Sequence, residues 1–295
     1  MFQKAYAIAS NFTFPVVLSR RTINGKCSSA IGSFVVLNND GWVITASHIV
    51  KMYLEMQAEV DRVSKLKAET VSIQNDTSLS PKEKKKRLHR LPVLPVSLSQ
   101  NCSAWWGFDG IEIKQFDMLA VMDLAVGKLE PFNQNLVSTY PVFKDPAKNF
   151  TQGTSLCKLG FPFYSIQPIW DENTARFQLP PGSVPLPRFP IDGIYTRNRQ
   201  MVTADGSPFP FPFIFLETST PGLRGQSGGP IFDREGSIWA IQSQTDHLPL
   251  GFDPEVPNSG GKKEHQFLNV GLGAHATTII EFLKSREIAF QLSEY

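Results

Sequence analysis

Apolar and polar positions along this chain follow two textures. From Ser29 to Val50, SAIGSFVVLNNDGWVITASHIV reads as two apolar strands joined by the turn Asn38-Asn39-Asp40-Gly41. An Asp-Gly pair between β-branched runs is a strong hairpin signal. His48 then stands at the end of the second strand. From about Lys51 to Leu91 the period becomes helical, with Met52, Met56, Val60, Val63 and Leu66 recurring every three or four residues. Ser80-Pro81-Lys82-Glu83 offers a capping box with proline at the first helical position, opening a very basic second helix, KEKKKRLHR. Together these predict a helical hairpin inserted into a β-protein. Strand texture resumes in PVLPVSL, GIEIKQFD and LAVMDLAVGKLE.

A second β-region starts near Leu156 with SLCKLGFPF. Residues 161–213 are rich in Phe-Pro pairs, and proline blocks continuous ladders. That part is predicted as extended loop packed by its own aromatics, interrupted by a strand at GIYTRNRQMV. FIFLETST and SIWAIQSQT follow as strands, then a Gly/Pro-rich loop over about 248–264. The strand FLNVGLGAH and the helix ATTIIEFLKSRE close the chain. The opening MFQKAYAIASNFTFPVVLSRR lacks a leader's unbroken apolar core and cleavage site, so it reads as mature sequence and a first strand.

Composition adds bounds. Twenty-two prolines and 21 glycines among 295 residues favour β-structure with frequent turns over a helical bundle. A net charge of +2 implies neither a nucleic-acid nor a membrane partner, and no apolar run reaches bilayer length. Cys27, Cys102 and Cys157 are scattered and odd in number, which predicts isolated thiols and a cytoplasmic location rather than a disulfide framework. No C-x-x-C or H-x-x-x-H spacing calls for a metal, and no cofactor is expected.

The most specific chemistry lies in LRGQSGGPIF, residues 223–232. A chance match to G-x-S-G-G-P in a chain of this length is roughly one in a few thousand at ordinary residue frequencies. Gly225 permits a positive φ, so that its N–H and that of Ser227 can point into one concavity as an oxyanion hole. A nucleophilic Ser227 needs a base and a group to orient that base. Among five histidines, His48 ends an apolar strand, where a rigid element presents a side chain at an edge. Asp123, beside the run LAVGKLE, is the candidate orienter, with Asp117 as a rival. The chain order His48, Asp123, Ser227 is that of the chymotrypsin-like double barrel.

ITASHIV, DLAV and GQSGGPIF resemble the three catalytic blocks of trypsin-like serine peptidases. LGFPF, DGIYTR, FLETSTPGLRGQSGGP and GLGAHATTIIEFL are more similar to the bacterial HtrA-like and glutamyl-endopeptidase-like branch than to digestive trypsins. No PDZ-like module fits after the closing helix. The resemblance implies an all-β fold of two packed six-stranded antiparallel barrels. Residues 1–150 would carry His48, Asp123 and the insertion over about 51–91; residues 151–295 would carry Ser227 and the C-terminal helix. It implies a serine endopeptidase with a His48-Asp123-Ser227 triad. Ser243 would border the Asp123 carboxylate, and Gln242, Ser243, Gln244 and Thr245 would form an edge for the substrate backbone.

Departures from the trypsin pattern carry information too. Gln226 stands where trypsins pair an aspartate with a freed N-terminus. Pro221 stands where they bind Arg or Lys, so Pro221, Gly222 and Gln242 point to a neutral or apolar side chain. Two other classes fit the sequence. One is a protease-fold binding module whose pocket the Phe-Pro loops occlude. The other is a latent peptidase regulated by a partner or nucleic acid on Lys82, Lys84, Lys85, Lys86, Arg87 and Arg90; the plainer reading of that run is a solvated helix face.

Overall fold

The computed structural model describes the chain except residues 204–205, 251–254, 258, 262 and 266. Part of the loop expected over 248–264 therefore lies outside the described residues. The chain opens with helix α1 (Gln3–Ser10) where a strand was expected, and strand β1 (Thr13–Thr22) follows. The helix wins because Ala5 and Ala9, one turn apart among good helix formers, are both fully buried.

Strands β2 (Cys27–Val36) and β3 (Trp42–Ala46) form the expected hairpin. Asn38 Oδ1 accepts the Asp40 N–H (3.1 Å), and Gly41 takes φ +83° to close the turn. Two helices follow, α2 (Ser47–Asn75) and α3 (Pro81–Leu88). The α3 capping box is complete, with Glu83 Oε2 accepting the Ser80 N–H at 2.9 Å. Helix α2 buries Met56 and Val63 towards strand β4 (Ser99–Trp106), and no residue after Val63 is buried. Strand texture at PVLPVSL yields no strand before Ser99; Pro92 and Pro95 cannot donate to a ladder. Strands β5 (Glu112–Leu119) and β6 (Leu124–Glu130) complete a curled antiparallel sheet in the order β4-β1-β2-β3-β6-β5.

The second sheet holds β7 (Val142–Phe143), β8 (Ser155–Gly160), β9 (Phe189–Gln200), β10 (Ile214–Thr218), β11 (Pro230–Phe232), β12 (Ile238–Pro249), β13 (Phe267–His275) and β14 (Gln291–Leu292). Six of them close a ring, β11-β8-β9-β10-β13-β12, through the pairing of β11 with β12. The two-residue strands β7 and β14 join alongside β12 in parallel pairings. The architecture is mostly β, as in chymotrypsin-like barrels. Within the Phe-Pro segment, Phe209 stacks on Phe213 with ring centroids 4.1 Å apart. Cys27, Cys102 and Cys157 are free thiols, and only Cys157 is buried. Among the described residues no helix is long and apolar enough to cross a membrane.

Helix α4 (Ala276–Lys284) packs Ile279, Ile280, Phe282 and Leu283 into the core, and His275 caps it by accepting the Thr277 N–H on Nδ1 (3.1 Å). Burial pushes the His275 imidazole down to about 4. Between the ordinary histidine range and that value, the unfolded chain binds a proton that the folded chain does not. Stability therefore falls as pH drops through this window. His275→Asn keeps a capping acceptor and removes the titration. Melting temperatures from pH 7 to pH 4 should fall less steeply for this variant than for wild type.

Candidate active site

Strand β3 ends at Ala46, and the chain turns at once into α2, so His48 lies in the first helical turn rather than at a strand end. No side chain of the helix caps its own start. Asp123 does so from across the sheet. It sits in the left-handed region (φ 53°, ψ 39°), between a single 3₁₀ turn and β6. Its Oδ1 accepts the His48 N–H (2.9 Å) and the Ser47 hydroxyl (3.0 Å), and its backbone carbonyl accepts the Ser47 N–H (3.0 Å). A carboxylate at a helix N-terminus meets unpaired N–H groups and the positive end of the helix dipole. The other oxygen, Oδ2, lies 2.8 Å from His48 Nδ1 and accepts the Ser243 hydroxyl at 2.7 Å.

Burial by itself would raise the Asp123 pKa. The hydrogen bonds and charge of His48, with the Ser243 hydroxyl, outweigh it and hold the carboxyl below its ordinary range. Asp123 is thus an anion at neutral pH, and Nδ1 of His48 carries the proton shared between them. That leaves Nε2 as the free ring nitrogen, on a side chain 46% exposed. Asp117 is elsewhere, 3.5 Å from Arg286. Of the other histidines, His275 is the α4 cap, and His247 contacts Asn269 at 2.5 Å.

Ser227 lies within the second of two consecutive tight turns. The Gln226 N–H donates to Leu223 O (2.9 Å) with Gly225 at φ +97°; the Gly229 N–H donates to Gln226 O (2.9 Å) with Gly228 at φ +82°. A positive φ at the third residue marks a type II turn and requires glycine. A Cβ at Gly225 would collide with Phe161 O, and one at Gly228 with Ser33 O. Among the described residues, neither the Gly225 N–H nor the Ser227 N–H has a protein acceptor. The first barrel fixes this loop. The Ser33 N–H donates to Ser227 O (2.8 Å), the Ser33 hydroxyl to Gly225 O (2.7 Å), and the Thr45 hydroxyl to Ser33 O (2.7 Å). The Ser227 hydroxyl donates to Ser243 O over a long 3.3 Å rather than to His48. Such bonds are often loose before substrate arrives.

Two cavities flank the pair His48 and Ser227, and both residues line both. The smaller, about 500 Å³, is bordered by Pro221, Gly222, Gln242, Ser243, Gln244 and Thr245, the six residues singled out for substrate. Gln242 narrows it: its Nε2 donates to Gln244 O and Leu272 O (both 3.1 Å), and a Cβ at Gly222 would strike that nitrogen. The larger, about 710 Å³, has mainly apolar walls.

Sequence reasoning missed Lys158, read only as part of a strand. It is 1% exposed, and its Nζ donates to Thr220 O and to Pro221 O (3.0 Å); Pro221 borders the smaller cavity. Burial pushes the ammonium down to about 7. A lysine inside an apolar strand run is the only sequence signal for it. Between about 7 and the ordinary lysine range, the unfolded chain holds a proton that the folded chain releases, so stability rises with pH there. Lys158→Met should flatten that rise, measured by chemical denaturation from pH 7 to pH 10.

The family model described as a trypsin-like peptidase domain matches residues 32–241. None of the curated proteins matches the chain. Among solved structures, the Rv3671c protease of M. tuberculosis in its active form is 12% identical, with a TM-score of 0.49, and the match covers 98% of this chain and 86% of that one. The inactive form of the Rv3671c protease is 13% identical, with a TM-score of 0.45, over 96% of this chain and 92% of that one.

Proposed function

The chain belongs to the trypsin-like peptidase family, and we propose that it is a serine endopeptidase that hydrolyses peptide bonds through an acyl-enzyme on Ser227. Ser227 Oγ attacks the substrate carbonyl while His48 Nε2 takes the hydroxyl proton. The carbonyl oxygen, now an anion, lies between the Gly225 and Ser227 N–H groups. His48 then gives its proton to the departing amine, and a water repeats the sequence to release the acid. Asp123 keeps Nδ1 protonated and stabilises the imidazolium. Removing one oxyanion donor costs about 3–4 kcal/mol of barrier in enzymes of this chemistry.

The observation that carries this reading is the His48–Asp123 contact (2.8 Å) on a histidine that borders the same two cavities as Ser227. Open cavities on both sides of the serine favour catalysis over an occluded binding module. The three free thiols support a reducing, cytoplasmic setting.

A fluorophosphonate probe should label wild type and not Ser227→Ala; equal labelling of the two defeats the nucleophile assignment. Asp123→Asn should lower turnover by roughly 10⁴-fold through loss of the correct tautomer.

A second reading concerns regulation. Lys82, Lys85, Lys86, Arg87 and Arg90 are exposed, and among the described residues none forms an ion pair, which supports an anionic regulatory partner on the insertion. Binding to single-stranded DNA should weaken steeply with salt and disappear when these five residues become glutamine. No binding at low salt ends that reading.

A further inference from the structure

We propose that the larger cavity beside Ser227 recognises a bulky apolar residue on the leaving-group side of the scissile bond. This rests on the peptidase reading above and names a substrate preference for the same site. A peptide whose carbonyl carbon lies at Ser227, with its oxygen on the Gly225 and Ser227 N–H groups, runs into one cavity on each side. The edge Gln242–Thr245 borders the smaller cavity and suits the acyl half. The amine half therefore enters the larger one, about 710 Å³, walled by Leu18, Ile31, Ile49, Met52, Phe161 and Phe163.

Three features argue for an apolar occupant. No carboxylate lines the cavity among the described residues, and its one permanent cation, Arg224, is exposed. Phe163 is 76% exposed yet held at φ +67°, with its ring edge-to-face on Phe189 at 5.4 Å. An aromatic residue rarely adopts that backbone, and such strain concentrates where a surface binds something. Finally, Ile49 and Met52 follow His48 in the first turns of α2. The Asp123 contacts that orient the base thereby orient this wall as well. Apolar area left open beside a reactive serine gains most from covering an apolar side chain.

Acyl transfer reads this side of the site alone. p-Nitrophenyl acetate acetylates Ser227 with release of p-nitrophenolate, and the acetyl group brings no side chain to the smaller cavity. An added amino-acid amide then attacks the acetyl carbonyl. The C–N bond forms, the Oγ–C bond breaks, and the amine's proton passes through His48 to Oγ. After correction for intrinsic reactivity with the free ester, Leu-NH2 and Phe-NH2 should capture the acetyl group at least about tenfold faster than Gly-NH2. Met52→Asp and Phe163→Gly should each shrink that ratio; glycine suits the positive φ at 163, so this second variant loses only the ring. Equal capture in wild type, or an unchanged ratio in both variants, overturns the inference alone. If mass spectrometry finds no acetyl group on Ser227, the peptidase reading fails and takes this inference with it.

Discussion

The histidine side of the site leans on one largely buried carboxylate. Asp123 takes hydrogen bonds from the Ser47 hydroxyl, the His48 backbone, the His48 ring and the Ser243 hydroxyl. Three of these donors begin a helix and the fourth comes from the second barrel. A largely buried ionised group is tolerable only when its lone pairs are answered in this way. The same bonds fix the tautomer of His48, start the inserted helix and tie the two barrels at their seam. Position, charge state and partner are thus set together, and none can be altered without the others.

The serine loop is held from the opposite direction. Gly225 and Gly228 turn the chain on either side of Ser227 through backbone conformations that side chains disfavour, and carbonyl groups occupy the space their Cβ atoms would need. Ser33 of the first barrel anchors the loop through the Gly225 and Ser227 carbonyls, and the Thr45 hydroxyl holds Ser33 in turn; among the described residues the Gly225 and Ser227 N–H groups have no acceptor. Donors held fixed before a charge develops need no reorganisation when it appears, and this is why such holes are effective. The long Ser227–Ser243 contact shows the hydroxyl resting on a carbonyl while the surrounding dipoles are already set.

Two cavities meet at this centre. The smaller is bordered by Gln242 and the edge that follows it; the larger is built partly from the inserted helix, through Ile49 and Met52. The insertion begins beside His48 itself, so a segment that interrupts the barrel also shapes the cavity next to Ser227.

Much of this was legible in the residues. The Asp-Gly turn announced the first hairpin, Ser80 to Glu83 the cap of α3, and the glycines around Ser227 the strained loop, because each depends on local backbone preferences that a few neighbouring residues set. Of the two acids the sequence offered, the fold brings Asp123 and not Asp117 against His48, and Ser243 against Asp123. Other features were not legible. The opening helix followed from burial of Ala5 and Ala9, which a strand-like apolar run concealed. Lys158 looked like one polar residue in a strand until the carbonyls of Thr220 and Pro221, more than 60 positions away, came to surround its ammonium. By itself the sequence determined which residues could form such a site, since turn-forming glycines and a serine, histidine and aspartate are set by residue type and local spacing. The tertiary structure alone decided the charge of Asp123, the anchoring of the serine loop and the two cavities beside it, because burial and long-range hydrogen bonds exist only once distant strands have met.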